Sequence, residues 1–269
     1  MTDIFDDAGD ESIGLEEFHR RIDAIDAPLY GPEHIAACAR ELARLGRNPD
    51  LLWGMFESVE GVEAIDEFFN APQSFFLGAG KTHYLRLNVW LPENAGTAYR
   101  EHERDLYSYE LAHNHDFRFL TVGYFGPGYE TDLYTIPEAD VDAQPGQTIR
   151  LLEPRRERLR QGRVIHFAPY TDVHVQHYPA SLSISINLIF SGQQREHEQL
   201  LIDTQRSTVL DYPKLSEQSR MINALQIAGF FASPELDAAI DAVERDAANP
   251  RLREAARAAI AHQRRESRA

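Results

Sequence analysis

Residues 110–129 have the sequence ELAHNHDFRFLTVGYFGPGY, and the rest of the chain is interpreted from this stretch. His113 and His115 lie two positions apart in a run that is rich in aromatic and β-branched residues. Because the side chains of a strand alternate between two faces, both imidazoles are expected to project from one face. The run ends in a Gly-Pro-Gly turn signal at 126–128, and a second strand-like segment covers 129–136. The pattern predicts a hairpin whose two histidines are placed to share a metal ion.

Further strand patterns lie on both sides of this hairpin, at residues 74–77, 83–91, 148–152, 162–167 and 181–190. Several short strands in succession without helices between them predict an antiparallel barrel or sandwich. Within 83–91 one face is aliphatic, and the other face carries Tyr84, Arg86, Asn88 and Trp90. A polar and aromatic face of this kind is typical either of a solvent-exposed sheet or of a barrel wall that lines a ligand site.

The two ends of the chain have a different character from the middle. Residues 1–12 are acidic and poor in large apolar groups, so a disordered tail is expected there. Helical spacing of apolar residues follows in 13–72, and capped helix starts recur after residue 193. The predicted fold is mostly β with flanking helices, of the α+β class. A β-barrel at 73–192 lies between helical segments at 13–72 and 193–269.

The composition argues against several classes of function. With 27 basic and 43 acidic residues among 269, the chain has a net charge of −16, which disfavours nucleic acid and anionic membranes as partners. The single cysteine, Cys38, allows no intrachain disulfide and is interpreted as a small buried hydrophobe. The acidic N-terminus lacks the apolar core of a signal peptide, and no apolar run approaches membrane-spanning length. We therefore expect a soluble, cytoplasmic protein.

Histidines are concentrated in the β region of the chain. Seven of the 11 lie between positions 83 and 177, and neutral imidazole is the commonest metal ligand. An imidazole-rich site suits iron, copper, nickel or zinc better than magnesium or calcium. His174 is the preferred third ligand and His177 its alternative, although an offset of three would put His177 on the opposite face of a regular strand. His166 is expected to be structural, and His83 and His102 are expected at the surface.

The histidine spacing resembles the two motifs of the cupin superfamily. The first motif is a histidine pair at i and i+2 with a carboxylate four residues further, and His113 and His115 match the pair. The second motif is a proline, a glycine two residues on and a histidine three after that. Pro169, Thr171 and His174 match it, with threonine in place of glycine. The resemblance covers under half of the chain and implies a cupin-like antiparallel β-barrel or jelly roll with a three-histidine metal site.

The sequence departs from the first motif at the carboxylate position, which is occupied by Phe119. Glu130 or Asp132, on the following strand, is the candidate replacement for the missing ligand. The resemblance implies Fe(II) as the metal, and copper, nickel, manganese and zinc are alternatives.

Three-histidine iron cupins include thiol dioxygenases of the cysteine dioxygenase type, and the chain is weakly similar to these. In that group an arginine on an earlier strand binds the substrate carboxylate, a role that the resemblance assigns to Arg86. A serine–histidine–tyrosine relay follows the third ligand. The matching stretch here has Ser185, Asn187 and Ile189, so only the serine agrees. The tyrosines of the β region are interpreted mainly as wall packing, with Tyr124 as a candidate to orient oxygen or substrate.

The resemblance implies a cytoplasmic cupin oxygenase that acts with Fe(II) and O₂ on a small, carboxylate-bearing molecule. A homodimer is the family expectation. Two other classes fit the same pattern: a non-redox isomerase or lyase that uses zinc, nickel or manganese, and a non-catalytic module that senses a ligand. Bound iron and O₂ uptake would separate the oxygenase from the non-redox isomerase or lyase. The first 70 residues contain no evident basic DNA-reading helix, which counts against a transcription factor.

Overall fold

The computed structural model describes residues 2–52, 73–93, 108–193, 196–214, 216–231 and 233–266. The described strands are β1 (Asp3–Asp6), β2 (Ser74–Ala79), β3 (His83–Trp90), β4 (Ala112–Asn114), β5 (Phe119–Phe125), β6 (Glu130–Thr135), β7 (Leu152–Arg158), β8 (Arg163–Phe167), β9 (Asp172–Gln176), β10 (Ser183–Phe190), β11 (Leu201–Asp203) and β12 (Thr208–Asp211). The described helices are α1 (Leu15–Asp23), α2 (Pro32–Gly46), α3 (Glu217–Ala228), α4 (Pro234–Asp246) and α5 (Pro250–Glu266). A single 3-10 turn covers Glu138–Asp140.

Eight of the strands form one long antiparallel ribbon that is rolled into two sheets. In this ribbon β3 pairs with β10, β4 with β9, β5 with β8, and β6 with β7. The first sheet has the order β1-β8-β5-β10-β3-β2 and the second has the order β12-β11-β4-β9-β6-β7. This pairing is the strand arrangement of a jelly roll. The predicted fold class is confirmed, in the form of a jelly-roll-like sandwich rather than a closed barrel.

The two faces of β3 pack into different cores. Leu85 and Leu87 belong to a cluster in which the outer face of the first sheet packs on α1 and α2, with Phe18 and Leu42 fully buried. Trp90 belongs to a second cluster, which fills the space between the two sheets. The polar and aromatic face of β3 therefore lines the interior of the sandwich. Of the two alternatives left open by the sequence, the solvent-exposed sheet is excluded for this strand, and its role in lining a ligand site stays a prediction.

The N-terminal end contributes a strand, so the prediction of disorder is wrong for residues 3–6. β1 pairs with β8 along its whole length. The acidic side chains that suggested disorder contact β8: Asp6 pairs with Arg163 at 2.8 Å, and Asp3 lies 3.1 Å from the ring of His166. His166 is buried by this contact, as its predicted structural role requires.

The C-terminal segment begins with two strands, whereas the sequence predicts helices from 193 onward. β11 pairs with β4 and thereby extends the second sheet, and β12 pairs with β11. Helices α3 to α5 then pack on one another around their own core. In the N-terminal segment α1 and α2 are confirmed, while the predicted helical residues 53–72 and the surface position of His102 lie outside the described residues. Within the described residues, no helix combines the length and the apolar character needed to cross a membrane.

His83 is fully buried, so the prediction that it lies at the surface is wrong. Helix α1 covers the start of β3, and His19 Nδ1 on that helix lies 2.8 Å from His83 Nε2. Nδ1 of His83 lies 3.6 Å from the Asp23 carboxylate. Burial, reinforced by the neighbouring His19, lowers the pKa of His83 to about 4. The ring is therefore neutral at pH 7.

This buried ring predicts a loss of stability in mild acid. An unfolded histidine has a pKa of about 6.5, so between pH 6.5 and 4 the unfolded chain binds a proton that the native chain excludes. The stabilisation that comes from keeping His83 neutral is therefore fully present above pH 6.5, and it is lost as the pH falls towards 4. Between pH 7 and 5, we expect wild-type protein to lose roughly 1–2 kcal/mol more unfolding free energy than a His83→Gln variant. Urea unfolding at both pH values measures this difference, and parallel losses in the two proteins would contradict it.

Candidate metal centre

Three histidines from two distant parts of the chain converge between the sheets. His113 lies in β4, His115 follows that strand, and His174 lies in β9, directly opposite His113 in the ladder. Nε2 of His174 lies 3.1 Å from Nε2 of His113 and 3.1 Å from Nε2 of His115. One ligand atom from each residue lies within 4.8 Å of the others, and among the described residues this is the only group of three metal-ligating side chains so placed.

The spacing of these nitrogens fits a shared ion. Three imidazole nitrogens bound at about 2.1 Å in mutually perpendicular directions are separated by about 3.0 Å. A hydrogen bond explains at most one of the two 3.1 Å contacts, because Nε2 of His174 cannot donate and accept at once. Nδ1 of His113 lies 2.8 Å from the carbonyl oxygen of Leu111 and donates to it. Nε2 of this neutral ring is therefore unprotonated, and its lone pair is available to a metal. A metal ion satisfies all three nitrogens together.

Burial keeps the imidazoles of His113 and His174 neutral. Burial lowers the pKa of His113, against a smaller opposing effect of the Leu111 carbonyl. Burial, followed by the neighbouring His113, holds the pKa of His174 well below its usual range. The carboxamide of Gln176 lies 3.3 Å from Nδ1 of His174. The atom placed at this distance is the amide nitrogen, Nε2. Because the oxygen and nitrogen of a carboxamide exchange places on a flip, Oε1 can take this position, accept the Nδ1 proton and leave Nε2 of His174 free for a metal, as in other histidine ligands.

An apolar wall stands where the cupin motif has its carboxylate. Phe119 packs edge-on to His115 at 4.9 Å between ring centroids and stacks on Phe167 at 4.8 Å. Phe167 in turn lies 4.7 Å from the ring of His174. This wall excludes water from one side of the three nitrogens and adds no negative charge. An ion bound there would keep its full positive charge.

The candidate fourth ligand does not belong to this cluster. In β6, Thr131 and Leu133 face the interior, so Glu130 points outward, where it is 40% exposed and lies 2.8 Å from Arg158. Asp132 also points outward and lies 2.8 Å from Nε2 of His177. The prediction of a ligand from β6 is wrong because the side chains of a strand alternate between its two faces. Glu130, Asp132 and His177 all lie on the outer face and are therefore not ligands.

Tyr124 is a structural residue, contrary to its predicted catalytic role. It lies on the outer face of β5, in the cluster that packs against the N-terminal helices. Its hydroxyl donates to the carbonyl oxygens of Asn48 at 2.9 Å and Pro49 at 3.2 Å. The interior positions of β5 are those of Phe119 and Thr121, which have the opposite parity.

Arg86 and Ser185 both face the interior, as their predicted roles require. Arg86 lies opposite Asn187 in the ladder between β3 and β10. Its Nε is buried without a hydrogen-bond partner among the described residues, and the same holds for Oδ1 of Asn187. Burial lowers the pKa of Arg86, against opposing effects of Tyr84 and Tyr129. The hydroxyl of Ser185 accepts a 2.9 Å hydrogen bond from Nε1 of Trp90, so the roles of Arg86 and Ser185 in catalysis stay predictions.

Two interior residues were not singled out as site residues from the sequence. Gln176 follows His174 by two positions, and strand alternation alone places it beside the ligand. Tyr129, interpreted only as wall packing, is buried near Thr121 and Gln176, and burial raises its pKa. Tyr129 also interacts electrostatically with Arg86, so these side chains connect the histidine cluster to the buried guanidinium. The turn context of Tyr129 in the sequence gave no such signal.

A jelly roll that brings three histidines together from β4, the residue that follows it and β9 has a cupin-like strand arrangement with a candidate metal site. No family model matches the sequence, and no curated protein matches it either. Solved structures do align with the chain. A cupin domain from Bordetella pertussis Tohama I has 11% identity and a TM-score of 0.26, covering 46% of this chain and 99% of that one.

Two further alignments are with enzymes. Hydroquinone 1,2-dioxygenase from Sphingomonas sp. TTNP3 has 10% identity and a TM-score of 0.28, covering 47% of this chain and 70% of that one. A chain from a study of DMSP lyases has 13% identity and a TM-score of 0.24, covering 44% of this chain and 47% of that one. These scores are low, so the cupin-like class rests on the strand order and the histidine cluster of the chain itself.

Proposed function

We propose that the protein is a metal-dependent oxygenase of cupin type that acts on a small, carboxylate-bearing molecule. The observation that carries the proposal is the convergence of three imidazole Nε2 atoms in the interior of the sandwich, with that of His174 lying 3.1 Å from each of the other two. His113, His115 and His174 would hold Fe(II) in this proposal. Copper, nickel, manganese or zinc could occupy the same donors.

Three ligands on one side of an ion leave its other positions open. When bound, Fe(II) supplies Lewis acidity together with the redox chemistry that a reaction with O₂ requires. The side chains around the three histidines make one side of the site apolar and the other side polar. Phe119 and Phe167 cover one side of the histidine cluster with apolar rings, so a substrate would approach a bound ion from the polar part of the interior.

The polar part of the interior supports a carboxylate-bearing substrate. The Arg86 guanidinium is permanently charged, and its buried Nε is unused among the described residues. Such a donor fits a carboxylate in a paired, charge-assisted contact. Oδ1 of Asn187, in the adjacent ladder position, can accept a hydrogen bond from a substrate donor. We assign Arg86 and Asn187 to binding and orientation.

Aromatic rings would shield the substrate from water. Tyr109 stacks on Tyr178 at 4.0 Å between centroids, and Trp90 lies 4.6 Å from Tyr129. The hydrogen bond from Trp90 to Ser185 fixes the indole in place. Ser185 is thus proposed to act by positioning Trp90, a wall residue, and not on the reacting atoms.

The proposal is tested with Fe(II)-loaded protein and a panel of small carboxylates that carry thiol, hydroxyl or phenol groups. We expect O₂ uptake, followed with an oxygen electrode, to depend on one of these substrates and on iron. Turnover without O₂ by the zinc-, nickel- or manganese-loaded protein would replace the oxygenase by an isomerase or lyase. Tight binding of a carboxylate without any conversion would instead indicate a ligand-sensing module. A homodimer and a cytoplasmic location remain part of the proposal.

A further inference from the structure

The segment that carries two of the ligands has a second, outward-facing pair of side chains. In the sequence His113-Asn-His-Asp116 the histidines face the interior, and Asn114 and Asp116 alternate with them. Both are polar, yet Asn114 is 0% exposed and Asp116 is 1% exposed. Buried polar groups of this kind need hydrogen-bond partners. Three of the four partners come from the C-terminal part of the chain.

The first contact covers the free edge of the ligand strand. In the eight-strand ribbon, β4 has β9 on one side and would be an edge strand on the other. β11 occupies that edge, with Leu201 opposite His113 in the ladder. The backbone N–H of Leu200 donates to Oδ1 of Asn114 at 2.6 Å, and Nδ2 of Asn114 donates to the carbonyl oxygen of Tyr170 at 2.6 Å. A strand of three residues is thereby held on both sides.

The second contact reaches the ligand segment from a helix. Nε2 of Gln218, in the first turn of α3, donates to Oδ2 of Asp116 at 2.8 Å. Nε2 of Gln199 donates to the other carboxylate oxygen. Gln218 is buried, and the start of α3 is fixed by Ser216, whose hydroxyl accepts from the backbone N–H of Ser219 at 3.1 Å. Two amides from the C-terminal segment thus hold a carboxylate adjacent to His115.

We infer that residues 199–218 form a clamp that positions His113 and His115 for metal binding, and that Gln199 and Gln218 are its positioning residues. The inference rests on the metal site of the proposed function. Ligands that are already ordered need no ordering when the ion binds, so the clamp raises metal affinity. The coupling is reciprocal, and bound metal must stabilise the docked state of residues 199–218 to the same degree.

A matched pair of substitutions in α3 tests the clamp. Gln218→Met removes the amide that holds Asp116, and Gln226→Met makes the same chemical change on an exposed position of the same helix. Co(II), which reports its ligand geometry in its visible absorption spectrum, is titrated into each protein against a chelator. We expect Gln218→Met to bind Co(II) about 10- to 100-fold more weakly, with an altered spectrum, as for other residues that support metal ligands. Gln226→Met should match the wild type.

Two further measurements test the clamp without relying on the folding of Gln218→Met. Gln199→Met removes the other amide from a partly exposed position and should weaken Co(II) in the same direction. In the wild type, Co(II) should slow amide hydrogen exchange in residues 199–218. A clamp that merely stabilises the fold would lower the melting temperature of both variants but leave the Co(II) spectrum and affinity unchanged.

The outcomes separate the clamp from the metal site itself. Failure of the wild type to bind Co(II) would overturn both the clamp and the proposed function. Normal binding by the wild type, with wild-type affinity and spectra in Gln218→Met and Gln199→Met, would overturn the clamp alone. If Gln218→Met does not fold, the Gln199→Met affinity and the wild-type exchange data decide the question.

Discussion

Replacement of His174 by alanine is expected to abolish stable metal binding and every activity that depends on it. His174 takes part in both 3.1 Å contacts of the cluster, so its removal leaves two nitrogens that no longer share a central partner. Metal-binding free energies of about 10–16 kcal/mol over four ligands correspond to about 3 kcal/mol or more per ligand. Loss of one ligand should therefore weaken binding at least about 100-fold. Metal analysis after dialysis against a chelator measures the effect.

The matched control is His177, which directly follows β9 and lies three residues after His174. His177 faces the opposite side of the sheet, with Nε2 lying 2.8 Å from Asp132, so His177→Ala should keep its metal. The pair of variants distinguishes a site from a general effect of losing an imidazole. Full metal retention by His174→Ala would remove the proposed centre, and equal loss in both variants would show that the metal is bound elsewhere.

Local alternation predicted the inward-facing residues of the site where the strand was unbroken. His113 and His115 share one face because they are two apart, and the same rule groups Arg86 with Trp90 in β3. The rule is reliable because it depends only on backbone geometry. It also disfavoured His177 as a ligand, and the outer position of that residue agrees with it.

The same rule did not predict which of the two faces of a strand points to the interior. Alternation says which residues share a face, but it does not say which face is inside. Residues 115–118 separate β4 from β5, and the Gly-Pro-Gly turn separates β5 from β6, so the sequence does not establish that alternation continues across these breaks. In the structure the interior positions of β5 and β6 keep the odd parity of His115, and Tyr124 and Glu130 therefore lie outside. Only the packing of the second sheet fixes Thr131 and Leu133 as the interior residues.

Contacts between distant segments account for the remaining errors. The acidic residues of β1 contact arginines and a histidine more than 150 positions away, which no local pattern indicates. His83 is buried because α1 covers it from a separate part of the chain. The β11 strand beside β4 is likewise a product of topology. Each of these features depends on pairing partners that composition and periodicity do not specify.

Replacement of Arg86 by methionine is expected to separate substrate binding from stability, with effects of opposite sign. The buried Nε of Arg86 has no hydrogen-bond partner among the described residues, and burial lowers the pKa of this group. Arg86 as a whole is partly exposed, but its buried, unpaired Nε destabilises the folded state, so an apolar side chain of similar length should raise the free energy of unfolding by about 1–2 kcal/mol. A carboxylate substrate, in contrast, should lose about 2–5 kcal/mol of binding, which is about 30- to 4,000-fold in affinity.

Arg158→Met is the matched control for this experiment, because it removes the same charge from an exposed position on β7 where Arg158 pairs with Glu130. An exposed ion pair of this kind contributes about 0–1 kcal/mol, so neither stability nor substrate affinity should change much. Urea unfolding and substrate titration on the three proteins measure both quantities. A structural role for Arg86 predicts that Arg86→Met is less stable and binds substrate normally. The carboxylate-binding role predicts the reverse on both measurements, because the cost of burying the guanidinium in the free protein is offset only when an anion is bound beside it.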